Sequence, residues 1–132
     1  MRTPRLLAAA AAAGVMGLTA GGPALAQDRH KPQSQCFLSS NVENFSAPDN
    51  RTVFLRVGVK DIWRLDLMND CLDLPFRQHI GFESAGGDPW ICTPIQATVV
   101  AHVSGIAHRC PVSGMHHLTP DEVASLPKRV RP

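Results

Sequence analysis

Four cysteines, Cys36, Cys71, Cys92 and Cys110, limit what this chain can fold into more than any other feature. They lie 35, 21 and 18 residues apart, so no Cys-x-x-Cys pair occurs. A thioredoxin-like redox motif and a zinc ribbon therefore lose their sequence support. What precedes the cysteines decides how to read them. Arg2 and Arg5 are followed by an apolar, mostly alanine run from Leu6 to Leu18 and then by a Gly/Pro break. Ala24-Leu25-Ala26 has the small-x-small form of a cleavage site. This is the pattern of a secretory signal peptide over residues 1–26, cut between Ala26 and Gln27. The run falls short of the roughly 20 residues that span a bilayer, so no stable membrane span is expected after cleavage. No cysteine follows the cut directly and no twin arginine precedes it, which favours export of an unfolded, non-lipidated chain. The expected address is periplasmic or secreted, and there an even cysteine count reads as two disulfides.

Removing 26 of 132 residues leaves 106. That is one domain, whose folding buries roughly two-thirds of the unfolded surface. Arg2 and Arg5 leave with the signal, so 13 Lys and Arg become eleven, against 11 Asp and Glu. A near-neutral domain lacks the basic excess that nucleic acid or an anionic membrane calls for, and neither is expected as a partner. Residues 27–35 are polar and aperiodic and read as a loose leader. Lys128, Arg129 and Arg131 make a basic tail over 128–132, expected to be solvated and frayed. The folded domain is then 36–127.

Period-two alternation marks the strands. A first runs from Cys36 to Phe45, and Pro48-Asp49-Asn50 supplies turn chemistry after it. The next stretch places Val53, Leu55, Val57 and Val59 on one face, with Thr52, Arg56 and Lys60 on the other. In DIWRLDLM the apolar face is Trp63, Leu65 and Leu67, with Arg64 and Asp66 outward. A three-residue connection, Lys60-Asp61-Ile62, pairs Val59 with Trp63, Val57 with Leu65 and Leu55 with Leu67. A two-residue turn would set core against charge, because a one-residue slip flips every side chain. Residues 69–78 are irregular, 79–84 form a short strand, and 85–89 form a turn. Trp90-Ile91-Cys92 then leads into a strand whose Ile95, Ala97, Val99, Ala101 and Val103 alternate with mostly polar neighbours. A turn at 104–107 returns the chain as the last strand. Thr119-Pro120-Asp121-Glu122 has the spacing of a capping box with proline at the first helical position, so a short C-terminal helix follows and Pro127 ends it. The expected fold is mainly β: a small antiparallel sheet of about six strands, curled into a barrel or sandwich, with two disulfides.

This layout limits the pairing of the cysteines. Cys36 with Cys71, and Cys92 with Cys110, fall too far apart in a meander for the roughly 7 Å that a disulfide allows between Cα atoms. The favoured pairs are Cys71–Cys92, clipping the irregular segment, and Cys36–Cys110, joining the first and last strands. The same hairpin, in the register Val103:His108, Ala101:Cys110 and Val99:Val112, disperses the histidines. His108 and His116 share a face but stand eight residues apart, roughly 26 Å at strand rise. His116 and His117 point to opposite faces, and His102 sits across from Arg109. Zinc needs three or four converging ligands, so no metal or other cofactor is expected. A bend after Pro111 or Gly114 would reopen the question.

Other chemistry is weakly signalled. Ser113-Gly114 lacks a nucleophile-elbow frame. Asp66, Asp70 and Asp73 lack calcium-loop spacing. Trp63 falls on a core face, whereas Trp90, beside Pro89 and a turn, is the expected exposed aromatic. No catalytic residue is expected.

The stretches CFLSSNVENF, RTVFLRVGVKDIWRLDL, DCLDL, WIC, RCPV and LTPDEVASLP together resemble a family of small exported proteobacterial proteins classed as a domain of unknown function. The resemblance covers roughly residues 36–127. It implies an exported, disulfide-bonded fold and lends no reaction. The expectation is a non-enzymatic binding or structural module with an envelope protein as its partner. The alternatives are a small periplasmic enzyme working from loops 69–78 and 85–94, and a metal-handling protein using His102, His108, His116 and His117.

Overall fold

The computed structural model describes residues 35–132. The expected signal peptide and all but the last residue of the expected leader lie outside the described residues. Eight strands follow in chain order: β1 (Phe37–Leu38), β2 (Val42–Ser46), β3 (Thr52–Val57), β4 (Asp61–Leu67), β5 (Ile80–Ser84), β6 (Trp90–Ile91), β7 (Ala97–Val103) and β8 (Ile106–His117). One α-helix, α1 (Pro120–Ser125), comes after them. Six strands make one antiparallel sheet in the order β2-β3-β4-β8-β7-β5, curled into a half-barrel, and β1 pairs with β6 in a separate ribbon.

The alternation that marks the strands also builds the core. Val53, Leu55, Trp63, Leu65 and Leu67 are buried on the inner face, joined by Ala97, Val99, Ala101, Cys110 and Val112. Cross-strand rows run through this face, for example Phe45–Leu55–Trp63–His117. The ribbon plugs one end: Phe37 and Ile91 are buried in the same core, and the Phe37 ring lies 5.2 Å from that of Trp63. β8 is the longest strand and the keystone. Residues 106–111 pair with β7, and residues 112–117 pair with β4.

A second, smaller core covers the outer face. Phe54 and Ile62 point away from the main core and are buried against Leu118 and Val130, with Val123 and Leu126 packed beside them. The capping box forms as expected: Glu122 N–H donates to Thr119 Oγ1 at 3.3 Å, and Thr119 N–H donates to Glu122 Oε2 at 2.7 Å. The basic tail is not frayed. Val130 is buried, Ser46 Oγ donates to its carbonyl, and Arg131 donates to the carbonyls of Ala124 and Leu126.

Four local expectations are corrected. The first strand is broken by a 3-10 turn, Ser39–Asn41, which sends β1 to the ribbon and β2 to the sheet. The β3–β4 loop is Gly58-Val59-Lys60, so Val57 pairs with Asp61 and Leu55 with Trp63. The expected faces survive because each partner shifts by an even number, four residues, but Val59 becomes an 86% exposed turn residue. The β7–β8 hairpin turns on two residues, Ser104 and Gly105, with φ of 51° and 82°. Positive φ at both positions is what a type I′ turn requires. Val103 therefore faces Ile106, Ala101 faces His108, and Val99 faces Cys110. Ile95 lies in a 3-10 turn ahead of β7 and is 84% exposed.

The disulfides are Cys36–Cys92 and Cys71–Cys110, with no free cysteine among the described residues. The expected partners, Cys71 with Cys92 and Cys36 with Cys110, are wrong. The reason is tertiary. β1 leaves the main sheet to pair with β6, which sets Cys36 beside Cys92. β4 pairs with β8 rather than ending the sheet, and Leu67 faces Val112, which brings the segment after β4 to Cys110.

Candidate functional site

A half-barrel has two free strand edges, and here both face the same space. β2 and β5 end the sheet order, and together they line a cleft of about 540 Å³. Val42 and Phe45 from β2, and Ile80 and Phe82 from β5, pack against the main core on one side and line the cleft on the other. Glu43, Asn44, Gln78 and His79 give the cleft a polar rim.

The two walls differ. β2 carries a bulge between Val42 and Asn44, and the N–H of Phe45 donates to Asn44 Oδ1 at 2.9 Å. Bulges and side-chain caps are ways in which proteins blunt an exposed edge. β5 has neither. Its five residues pair with β7 in unbroken register from Ile80↔Ala101 to Ser84↔Ala97, and it contains no proline or lysine. At Gly81 the strand carries no side chain at all.

Two carboxyls with lowered pKa, Glu83 and Glu122, are not among the cleft-lining residues. On the outer surface Arg109 Nε donates to Glu83 Oε2 at 2.9 Å, and that hydrogen bond holds the Glu83 carboxyl below the usual carboxylate range. Glu122 is likewise lowered, first by the Thr119 N–H and then by His116. Asp66, Asp70 and Asp73 each pair with an arginine: Arg64, Arg51 and Arg77.

The histidines fall in several places. β8 gains one residue against β4 between Val112 and Gly114, where Leu67 faces Val112 and Asp66 faces Gly114. A Cβ at Gly114 would meet Asp66 Oδ2 at 3.1 Å and Asp66 Cβ at 3.3 Å, so a glycine accommodates the close approach. The bulge switches the alternation. His108, before the bulge, shares the face of Ala101, whereas His116, beyond it, stands outward beside Arg64, contrary to the expectation that His108 and His116 share a face. His116 and His117 do point to opposite faces. His116 Nε2 is 3.2 Å from Glu122 Oε1. The His117 ring stacks on Trp63 at 4.7 Å, with Nε2 3.4 Å from Asp61. His102 faces Ala107, not Arg109, whose partner is Val100. No three His, Cys, Asp or Glu side chains converge among the described residues. Trp63 is 3% exposed and Trp90 49%, as their positions in the pattern imply. Of the loops 69–78 and 85–94, only Gln78 reaches the cleft.

Fold and cleft together define a disulfide-stapled, open half-barrel whose distinctive surface is an unclosed seam. The chain belongs to a family of unknown function, DUF6491, whose model matches residues 1–131. No curated protein and no solved structure matches it. Among the described residues no helix is long and apolar enough to cross a membrane.

Proposed function

We propose that this protein is an exported, non-enzymatic binding module of the proteobacterial cell envelope, working in the periplasm through the cleft between β2 and β5. One observation carries the reading: the two free edges of a single sheet line one cleft with an apolar floor and a polar rim. Concave sites with polar groups around apolar side chains, as in the mouths of β-barrels, are where ligands bind. Two disulfides, formed where thiols are oxidised, support the compartment.

The test is photo-crosslinking in intact cells, with the photo-reactive residue placed at Glu43 in the cleft or at Asp121 on α1. The expected result is a specific adduct from position 43 and none from 121. Equal labelling from both positions, or none from 43, ends the reading. N-terminal sequencing of exported protein should begin at Gln27, and a cytoplasmic, uncleaved chain would refute the address.

A further inference from the structure

We infer that the occupant of the cleft is a lone extended segment of another protein, which adds a strand to β5 and carries a basic residue opposite Glu43. The inference rests on the cleft being the binding site and goes on to name what enters it. β5 presents five residues of regular edge without a bulge, roughly 17 Å of strand at ordinary rise. Among the described residues its outward N–H and C=O groups have no partner strand, and main-chain pairing to such an edge is an established mode of peptide capture. Across the cleft, the β2 bulge interrupts a matching ladder, so β2 supplies side-chain contact more than hydrogen bonds. Val42, Phe45, Ile80 and Phe82 lie on the core side, which selects a segment with apolar residues at every second position. Among the described residues Glu43 is the sole Asp, Glu, Lys or Arg lining the cleft, so charge complementarity asks for a Lys or Arg. A second copy of this chain fits poorly. Any of its main-sheet strands brings a hydrogen-bonded neighbour, and the opposite wall, β2, stands where that neighbour would go.

The experiment starts from the oxidised mature chain and a phage-displayed library of random peptides. A selected peptide is then followed by amide hydrogen exchange and NMR shifts. The expected winners alternate apolar and polar residues and include a Lys or Arg. Bound peptide should slow exchange of the outward β5 amides by at least about tenfold. N-methylation of the peptide amides that face β5 should abolish this. Glu43→Gln should weaken binding by about two- to fivefold, as for one exposed ion pair. Shifts at Val42, Phe45, Ile80 and Phe82 without slowed β5 exchange would overturn strand addition and leave the cleft reading standing. The same shifts produced by decanoate, again without β5 protection, would assign the cleft to a small apolar ligand. Concentration-dependent β5 protection without peptide, accompanied by dimer in sedimentation, would assign it to self-association. Winners that perturb only residues outside the cleft, or no winners, overturn the inference.

Discussion

The sheet has a closed side and an open side, built from the same kind of strand for different ends. In β3, β4, β8 and β7 each strand has a neighbour on both edges, and their inner residues Val53, Leu55, Leu65 and Val99 are fully buried. Cys71–Cys110 lies within that core, and α1 with the tail seals part of the outer face. Among the described residues β2 and β5 have one neighbour each, and their apolar residues Val42, Phe45, Ile80 and Phe82 are only partly buried. Cys36–Cys92, outside the core, ties the ribbon that leads into β2. The closed side holds the fold, and that lets the open side keep surface that folding alone would have covered.

The largest effect separates the two disulfides. Sequence separations of 56 and 39 give similar loop-closure terms, about 4 kcal/mol each. Loop length therefore does not rank them, and burial does: Cys71 is 0% and Cys110 5% exposed. C71A/C110A should lose about 4–5 kcal/mol in urea unfolding, since a core gap adds to the lost crosslink. C36A/C92A should lose about 2–4 kcal/mol. The reverse order would break the division between the two sides. Next, Leu65→Ala on the closed wall should cost about 2–5 kcal/mol, whereas Val42→Ala at the cleft should cost about 1 kcal/mol or less. Equal losses would mean that the cleft wall is core. Thr119→Ala removes the cap of α1 and should cost about 1 kcal/mol, with the loss seen first at Phe54 and Ile62 in NMR.

The smallest effect is in pH. The folded Glu122 carboxyl sits below its ordinary value because it accepts hydrogen bonds from Thr119 and then from His116. A lowered folded pKa makes its contribution fully present above the unfolded carboxylate pKa. That contribution fades as pH falls through the folded one. A carboxyl titration by NMR should place the Glu122 midpoint below that of a free glutamate, and Glu122→Gln should flatten this part of the acid limb. An unshifted midpoint would contradict the capping geometry.

Local features were legible in the sequence and non-local ones were not. The alternation in residues 53–57 and 63–67 placed both core faces. The capping box from Thr119 to Glu122 placed the helix, because its partners lie within four residues. The hairpins kept the correct faces yet slipped, β3–β4 by four residues and β7–β8 by two, because the positive-φ pair Ser104-Gly105 and the loop at Gly58 place the turns where alternation alone does not. The extra residue between Val112 and Gly114 leaves no periodic trace, and it moves His116 to the face opposite His108. Phe54 and Ile62 were visible as apolar residues on the polar face, and that was the missed signal for the second core. The disulfide partners and the cleft depend on which strands meet across the sheet, and alternation within a strand is silent about that.

Everything functional depends on the seam between β2 and β5 being open in solution. Native-state hydrogen exchange on the oxidised, ligand-free protein tests this directly. The account predicts that amides of β4, β8 and the centre of β7 exchange only through global unfolding, while the outward amides of Ile80–Ser84 exchange near the rate of exposed loops. Outward β5 amides as slow as those of β8 would mean that the barrel closes on itself and has no edge to offer.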